Sequence, residues 1–259
     1  MSSITPPRLS KQTLTHPDSS WPTPCVIAID GPAGAGKSSV STQLAARLHF
    51  FRLDTGVLYR GIALEARRAG LQALESDALR SFLNDFKVSL SPEEHTLMMN
   101  ATLAHDEALR TPENSQAASD FARLPMVRAK LLDIQRQIGS SAPCVVDGRD
   151  IGTVVFPNAP LKIFLTASAD ERARRRLIEL NTHGVTTTFA EVRAGIVARD
   201  QQDMQRDIAP LKQAEDAHLV DATELSLTEV VEECHRHALS VFPRANSLSY
   251  EDAGESSKL

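Results

Sequence analysis

Gly31-Pro32-Ala33-Gly34-Ala35-Gly36-Lys37-Ser38 has the spacing G-x-x-x-x-G-K-[ST]. Glycines at these intervals let the backbone curl, so that successive N–H groups point into one concavity that suits an anion. Lys37 is placed to reach the terminal phosphates of a nucleoside triphosphate, and the Ser38 hydroxyl to ligate Mg²⁺. The motif needs a strand before it and a helix after it. Val26-Ile27-Ala28-Ile29 is a short apolar run of the kind a buried parallel strand requires. Beyond Lys37, Val40, Leu44 and Leu48 recur every fourth residue, which predicts a helix with one buried face. Its N-terminus would turn free N–H groups toward the phosphates.

The rest of the chain is that of an ordinary globule. It has 259 residues, 42% hydrophobic and 24% charged, with a net charge of −5. There is no basic excess to argue for nucleic acid. Cys25, Cys144 and Cys234 are far apart and odd in number, so reduced, buried thiols are expected rather than a disulfide framework or a metal site. No apolar run approaches the ~20 residues of a membrane-spanning helix. Residues 1–24 hold nine Ser/Thr and five Pro and read as a disordered extension. The polar stretch 244–259 reads as a flexible tail. It ends in Ser257-Lys258-Leu259, the form of a peroxisomal address, although a tripeptide is short enough to arise by chance.

Five apolar runs are predicted as core strands: 26–30, 51–54, 144–147, 161–166 and 218–221. Helical patterns separate most of them, which implies βαβ units and a parallel sheet. Residues 85–110 differ. An alternating Phe86–Leu90, a turn-like Ser91–Glu94, then Thr96–Met99 and Ala101–Leu103 predict a small antiparallel hairpin or three-stranded sheet inserted in the core. A helical pair follows, with Ala117, Phe121 and Leu124 on one stripe and Leu131, Ile134 and Ile138 on another. Pro125 begins the second helix.

Four further stretches carry polar residues at strand or helix ends, and each admits two readings. In Leu53-Asp54-Thr55-Gly56-Val57-Leu58-Tyr59-Arg60, Arg60 offers a planar fork to a phosphate and Asp54 faces the glycine loop; alternatively Asp54 or Thr55 caps a helix and Arg60 is solvated. In Asp147-Gly148-Arg149-Asp150, a phosphate for Arg149 and a base amine for Asp150 would satisfy costly charges at a strand mouth; alternatively an Arg–Asp pair braces the turn. Phe189, Val192 and Ile196 form a helical stripe that continues into Arg199, Asp203 and Arg206. That is either a helix entering a polar cleft or a solvated helix end with surface pairs worth ~0.3–0.5 kcal/mol each. Glu171-Arg172-Ala173-Arg174-Arg175-Arg176, with Asn181-Thr182-His183-Gly184 after it, is either a lid over a triphosphate or a solvated basic face. Many arginines near strand ends, without a candidate nucleophile, fit phosphoryl transfer.

Taken together, Ile29–Lys37, Leu53–Arg60, Asp147-Gly148-Arg149-Asp150-Ile151-Gly152-Thr153-Val154-Val155-Phe156-Pro157, Leu161–Leu165, Arg199-Asp200 and Ala209-Pro210-Leu211 resemble the bacterial-type cytidylate kinases. These belong to the nucleoside monophosphate kinases, and the resemblance covers roughly residues 25–240. It implies an α/β fold whose P-loop parallel sheet is flanked by helices (CORE), with an NMP-binding insert over about 60–140 that contains the small antiparallel sheet, and a short LID over about 172–185. One kinase domain would span 25–243. It implies transfer of the ATP γ-phosphate to CMP or dCMP with Mg²⁺ as Mg-ATP, by a cytoplasmic monomer that acts on small nucleotides and on neither nucleic acid nor membrane.

The same resemblance implies roles. Gly31, Pro32, Ala33, Gly34, Ala35, Gly36, Lys37, Ser38 and Ser39 hold ATP, with Ser38 on the metal and Arg172, Arg175 and Arg176 near the lid. Thr55, Ser119, Arg128 and Asp150 surround the pyrimidine, with Asp54 on the same acceptor side. Arg199 and Asp203 contact the sugar. Tyr59, Arg60, Arg149 and Arg206 clamp the acceptor phosphate, and Lys37, Arg60, Arg149 and Arg206 are the expected catalytic group. Three positions depart from the family pattern: Thr55 for a frequent Ser, and Gln202 and Met204 where relatives often carry Arg.

Overall fold

A computed structural model describes residues 24–90, 97–100, 102–182 and 184–243. The N-terminal stretch before Pro24, the turn Ser91–Glu94 with Thr96, Ala101, His183 and the C-terminal tail with its last tripeptide lie outside the described residues.

The sequence alternates strand and helix. β1 (Val26–Asp30) leads through the glycine loop into α1 (Lys37–Leu48), followed by β2 (Phe51–Asp54), α2 (Thr55–Arg68) and α3 (Asp77–Asp85). Three short strands come next, β3 (Val88–Leu90), β4 (Leu97–Met99) and β5 (Thr102–Leu103). Then follow α4 (Pro112–Phe121), α5 (Pro125–Ser141), β6 (Cys144–Gly148), β7 (Leu161–Thr166), α6 (Ala169–Thr182), α7 (Phe189–Met204), β8 (His218–Asp221) and α8 (Leu227–Val241). β2, β6, β1, β7 and β8 form one parallel sheet in that order, and β3, β4 and β5 a separate antiparallel one. The sequence predicted all five core strands, with β6 one residue longer than expected.

Helices cover both faces of the parallel sheet, so β1 is buried throughout and its side chains alternate between two cores. Val26 and Ala28 join Leu53, Leu58, Leu131 and Val146 on the side of α2, α3 and α5. Ile27 and Ile29 join Val40, Leu44, Leu48 and Val231 on the side of α1 and α8. The three cysteines are buried free thiols; burial pushes Cys25 and Cys234 up to about 12 and Cys144 up as well.

Two expectations need correction. Phe189 is 37% exposed, Val192 half-buried and only Ile196 buried, so the apolar stripe of α7 is not a core stripe along its length. α7 packs chiefly on α6, away from the sheet, and has too little cover at its start. Leu124 does not continue α4; it precedes Pro125 and stands at the cap of α5, because proline fixes the backbone there.

The small sheet is keyed to α2 at Gly61. A Cβ at that position would lie 2.2 Å from Met99 Sδ, and Met99 is fully buried. Alanine favours helix by ~1 kcal/mol over glycine, whereas overpacking a core costs ~1–3 kcal/mol. Gly61→Ala should therefore lower the unfolding midpoint in urea. Combined with Met99→Ala, it should lose less stability than the two single changes added together.

Candidate active site

The C-terminal ends of β1, β2 and β6 lie side by side, with Asp30 in register with Gly148 and Asp54 with Asp147. Ligands of open parallel sheets sit beyond such ends. The glycine loop leaves β1, and its Lys37 is 6% exposed. The Lys37 ammonium donates to the carbonyls of Gly31 and Pro32, both at 2.7 Å. Burial, and next the charge of Arg149, hold it well below the ordinary lysine range. Gly31, Gly34 and Gly36 all have positive φ. At Gly31 a Cβ would sit 1.9 Å from the Leu165 carbonyl oxygen, so the loop tolerates no side chain there. Ser38 and Ser39 are exposed at the start of α1.

Asp30 ties this loop to the turn after β6. It accepts from the amides of Ile151 at 2.8 Å and Gly152 at 2.7 Å. Those amides belong to a five-residue π-helical turn, Ile151–Val155, that the sequence pattern did not reveal. Asp147 lies beside it, buried, accepting from the Ser41 hydroxyl at 2.6 Å; its own carbonyl accepts from Thr55 Oγ1 at 2.8 Å. Burial and then the Asp54 charge push the Asp147 carboxyl up.

The capping reading holds for Asp54. It caps α2, accepting from the Val57 amide at 3.1 Å, and lies 3.3 Å from Arg60 Nη2. Arg60 is thus paired rather than solvated, and its backbone carbonyl accepts from the buried Asn114 side chain at 3.1 Å. At the β6 turn, Arg149 and Asp150 do not pair with each other. Asp150 is paired with Arg128 of α5, whose guanidinium lies 5.8 Å over the Tyr59 ring. Arg149 Nε donates to Asp203 of α7 at 2.8 Å, and Asp203 also accepts from Arg206. At 1% exposure Asp203 is no surface residue, which rules out the solvated-end reading of α7. Burial pushes Asp203 up, but Arg149 and Arg206 outweigh it and the net direction is down. For Asp150, burial outweighs Arg128, Arg206 and Arg149, and the direction is up. Burial pushes Tyr59 up to about 12 and brings Arg199 down to about 10, with Arg149 adding to the latter.

These partners bring Tyr59, Arg60, Arg128, Arg149, Asp150, Arg199, Asp203 and Arg206 around the same strand ends. Ser119 is buried on α4, its hydroxyl donating to the Ser115 carbonyl at 3.2 Å. Of the arginines in the basic segment only Arg172 is buried. It pairs with Asp200 at 2.7 Å and donates to the Ala33 carbonyl of the glycine loop at 3.0 Å. A Cβ at Gly36 would lie 3.9 Å from Arg175, whereas Arg176 faces outward and pairs with Glu179 at 2.7 Å. The sequence reading gave no role to Arg52 or Asp200 and took Gln202 only as a departure from the family pattern. With its amide oriented to satisfy both partners, the Gln202 oxygen accepts from Arg123 Nε at 3.1 Å and Nη2 at 2.9 Å, joining α7 to the α4–α5 turn. An arginine at 202 would face Arg123 with like charge.

A glycine loop with a buried lysine, facing a second set of half-buried arginines across parallel strand ends, defines a P-loop kinase. The chain belongs to the cytidylate kinase family, whose model matches residues 27–239. It is 44% identical over 206 residues to a cytidylate kinase of Desulfitobacterium hafniense, covering 80% of this chain and 89% of that protein. It is 46% identical over 209 residues to one of Thermosipho melanesiensis, covering 81% and 94%. No helix among the described residues is long and apolar enough to cross a membrane.

Burial raises the Asp30 carboxyl from 3.8 to about 6, against the pull of its two amide partners. The folded state holds this proton to higher pH than the unfolded chain does. Its contribution to stability is therefore complete below about pH 4 and declines by roughly 3 kcal/mol as the pH rises through about 6. In urea titrations, the stability advantage of the wild type over Asp30→Ala should shrink across that window. A constant difference would contradict the shift.

Proposed function

We propose that this enzyme transfers the γ-phosphate of ATP to CMP or dCMP, giving ADP and CDP or dCDP, in pyrimidine nucleotide metabolism. The observation that carries the reading is the Asp203 cluster. One buried carboxylate fixes Arg149 and Arg206, next to an Arg128–Asp150 pair, across the strand ends from the lysine of the glycine loop. Donor phosphates take the loop amides and Lys37, and Arg172 supports the loop through the Ala33 carbonyl. The acceptor phosphate takes Arg60, Arg149 and Arg206, with Tyr59 beside them. Asp150 accepts from the cytosine amino group, with Thr55, Ser119 and Arg128 completing the base pocket, and Arg199 and Asp203 meet the sugar. Asp54 orients Arg60. Residues 60–140 form the acceptor-binding part, and 172–185 the lid, which carries Arg175 beside the glycine loop.

An acceptor phosphate oxygen attacks the γ-phosphorus in line. The bond to the β–γ bridging oxygen breaks, and its electron pair leaves with ADP. A nucleoside monophosphate is largely dianionic at pH 7, since its second pKa is ≈ 6, so no protein base need remove a proton. The arginines and Lys37 are held in place before substrate arrives, which makes them effective against the charge that develops on the equatorial oxygens.

The residues fit a magnesium ion. Mg²⁺ keeps several waters and takes substrate phosphate oxygens with only one or two protein groups. The exposed Ser38 hydroxyl at the start of α1 is such a group, and no cage of three or more His, Cys, Asp or Glu occurs among the described residues. Bound there with ATP, the ion supplies charge neutralisation at the β- and γ-phosphates. The reading also takes the cytoplasm as the place of action and a monomer as the acting form.

A coupled assay of ADP release across CMP, dCMP, UMP, AMP and dTMP tests the acceptor, and better turnover of UMP or AMP than of CMP would overturn it. Arg206→Ala should lower kcat/KM at least ~100-fold with every acceptor. Asp150→Ala should act mainly on base choice, reducing the preference for CMP over UMP by at least ~10-fold.

A further inference from the structure

Arg52 has the surroundings of a cation in a binding site. It projects from β2 with its side chain 25% exposed, so it is open to the cleft on one side. Its Nη2 donates to Ser38 Oγ at 2.7 Å and lies 3.3 Å from Asp54 Oδ2 and 3.2 Å from Asp147 Oδ2. Its Nε donates to Ser41 Oγ at 2.8 Å, and Ser41 passes a hydrogen bond on to Asp147. One positively charged nitrogen thus has three oxygen neighbours, two of them carboxylate and the third the hydroxyl assigned above to the metal.

We propose that Arg52 is the resident counterion of the divalent-cation subsite: it occupies the place beside Ser38 in the nucleotide-free protein and yields it when the magnesium complex of a nucleoside triphosphate binds. The inference rests on the proposed use of ATP. Asp54 and Asp147 are register partners on β2 and β6 and repel each other; Arg60 pairs with Asp54, and a cation that reaches both carboxylates relieves the repulsion. In the empty enzyme that cation is Arg52. A guanidinium and a doubly charged ion repel too strongly at hydrogen-bonding distance to share one hydroxyl, and Arg52 is the partner on a movable side chain. Displaced toward the cleft, it meets the donor phosphates. Arg52 is therefore a positioning residue that raises the affinity for metal-free nucleotide and lowers the affinity of the nucleotide complex for magnesium.

Calorimetry with ATP in chelator, and then at rising free Mg²⁺, tests this in the wild type, Arg52→Gln and Arg52→Lys without an acceptor. Glutamine keeps a donor for the two hydroxyls but removes the charge. Arg52→Gln should weaken metal-free ATP binding about tenfold and lower the Mg²⁺ concentration at half-effect about tenfold, while Arg52→Lys stays within about threefold of wild type. An equal loss with and without Mg²⁺ would make Arg52 a brace only, and an unmoved or raised Mg²⁺ midpoint would overturn the proposal. Should the glutamine variant fail to fold, the wild type still decides. The Arg52 Nε–H resonance of the ATP-loaded protein should move when Mg²⁺ replaces chelator, and an unmoved resonance overturns the proposal. A wild type that binds no ATP under either condition would instead remove the functional reading itself.

Discussion

The carboxylate of Asp30, held by the amides of Ile151 and Gly152, is the constraint on which the cleft depends. β1 and β6 are adjacent and parallel, but the chain leaving each takes its own path: the glycine loop from β1, the Arg149–Asp150 turn from β6. Without a bond across the gap the two halves would be positioned only by the sheet beneath them. Asp30 supplies that bond from a position where neither loop has begun to diverge. It is bought at the cost of a buried carboxylate, which the protein offsets with two amide donors and the nearby Lys37.

Around that bond the cleft is built as an alternation of opposite charges. Asp203 lies between Arg149 and Arg206, Asp54 between Arg52 and Arg60, and Asp150 and Asp200 face Arg128 and Arg172. Few of these charges could be buried alone. The pairing is nonetheless incomplete. The Nε atoms of Arg60, Arg199 and Arg206 are buried without a hydrogen-bond partner. A buried donor left unmade costs free energy that an incoming anion can recover. The empty enzyme is thus strained electrostatically in the direction of its substrates, which is what preorganisation requires.

The parallel sheet was legible because its strands are short, mostly apolar runs, most of them ended by glycine or charge, and the glycine loop was legible because its spacing follows from phosphate geometry. Arg60, Arg149, Asp150 and Arg206 stood out as charges placed where a strand or an apolar helix stripe ends. Their partners did not. That Arg149 meets Asp203 and Arg128 meets Asp150 depends on how α5 and α7 dock, which periodicity does not encode. Arg52 was overlooked because it sits inside a strand pattern, where an arginine reads as solvent-facing; only the proximity of Ser38, Ser41 and Asp147 gives it meaning. Phe189 shows the reverse error. Helical spacing says which residues share a face and leaves open whether anything covers it, and α7 begins on α6 rather than on the sheet.

Gly61 and Met99 make the small antiparallel sheet a poor candidate for exchange. Arg60 precedes Gly61 on α2, so the helix that offers a guanidinium to the cleft also carries the notch that seats the insert. The insert looks like a detachable module in sequence, a local three-stranded unit between two helices. Physically it is half of a lock whose other half lies on a helix encoded earlier in the chain. A graft of this sheet from a relative would have to bring the matching face of α2 with it, and with that face the arginine beside it. Recombination within such a fold should therefore respect the boundary before α2 rather than the one before β3.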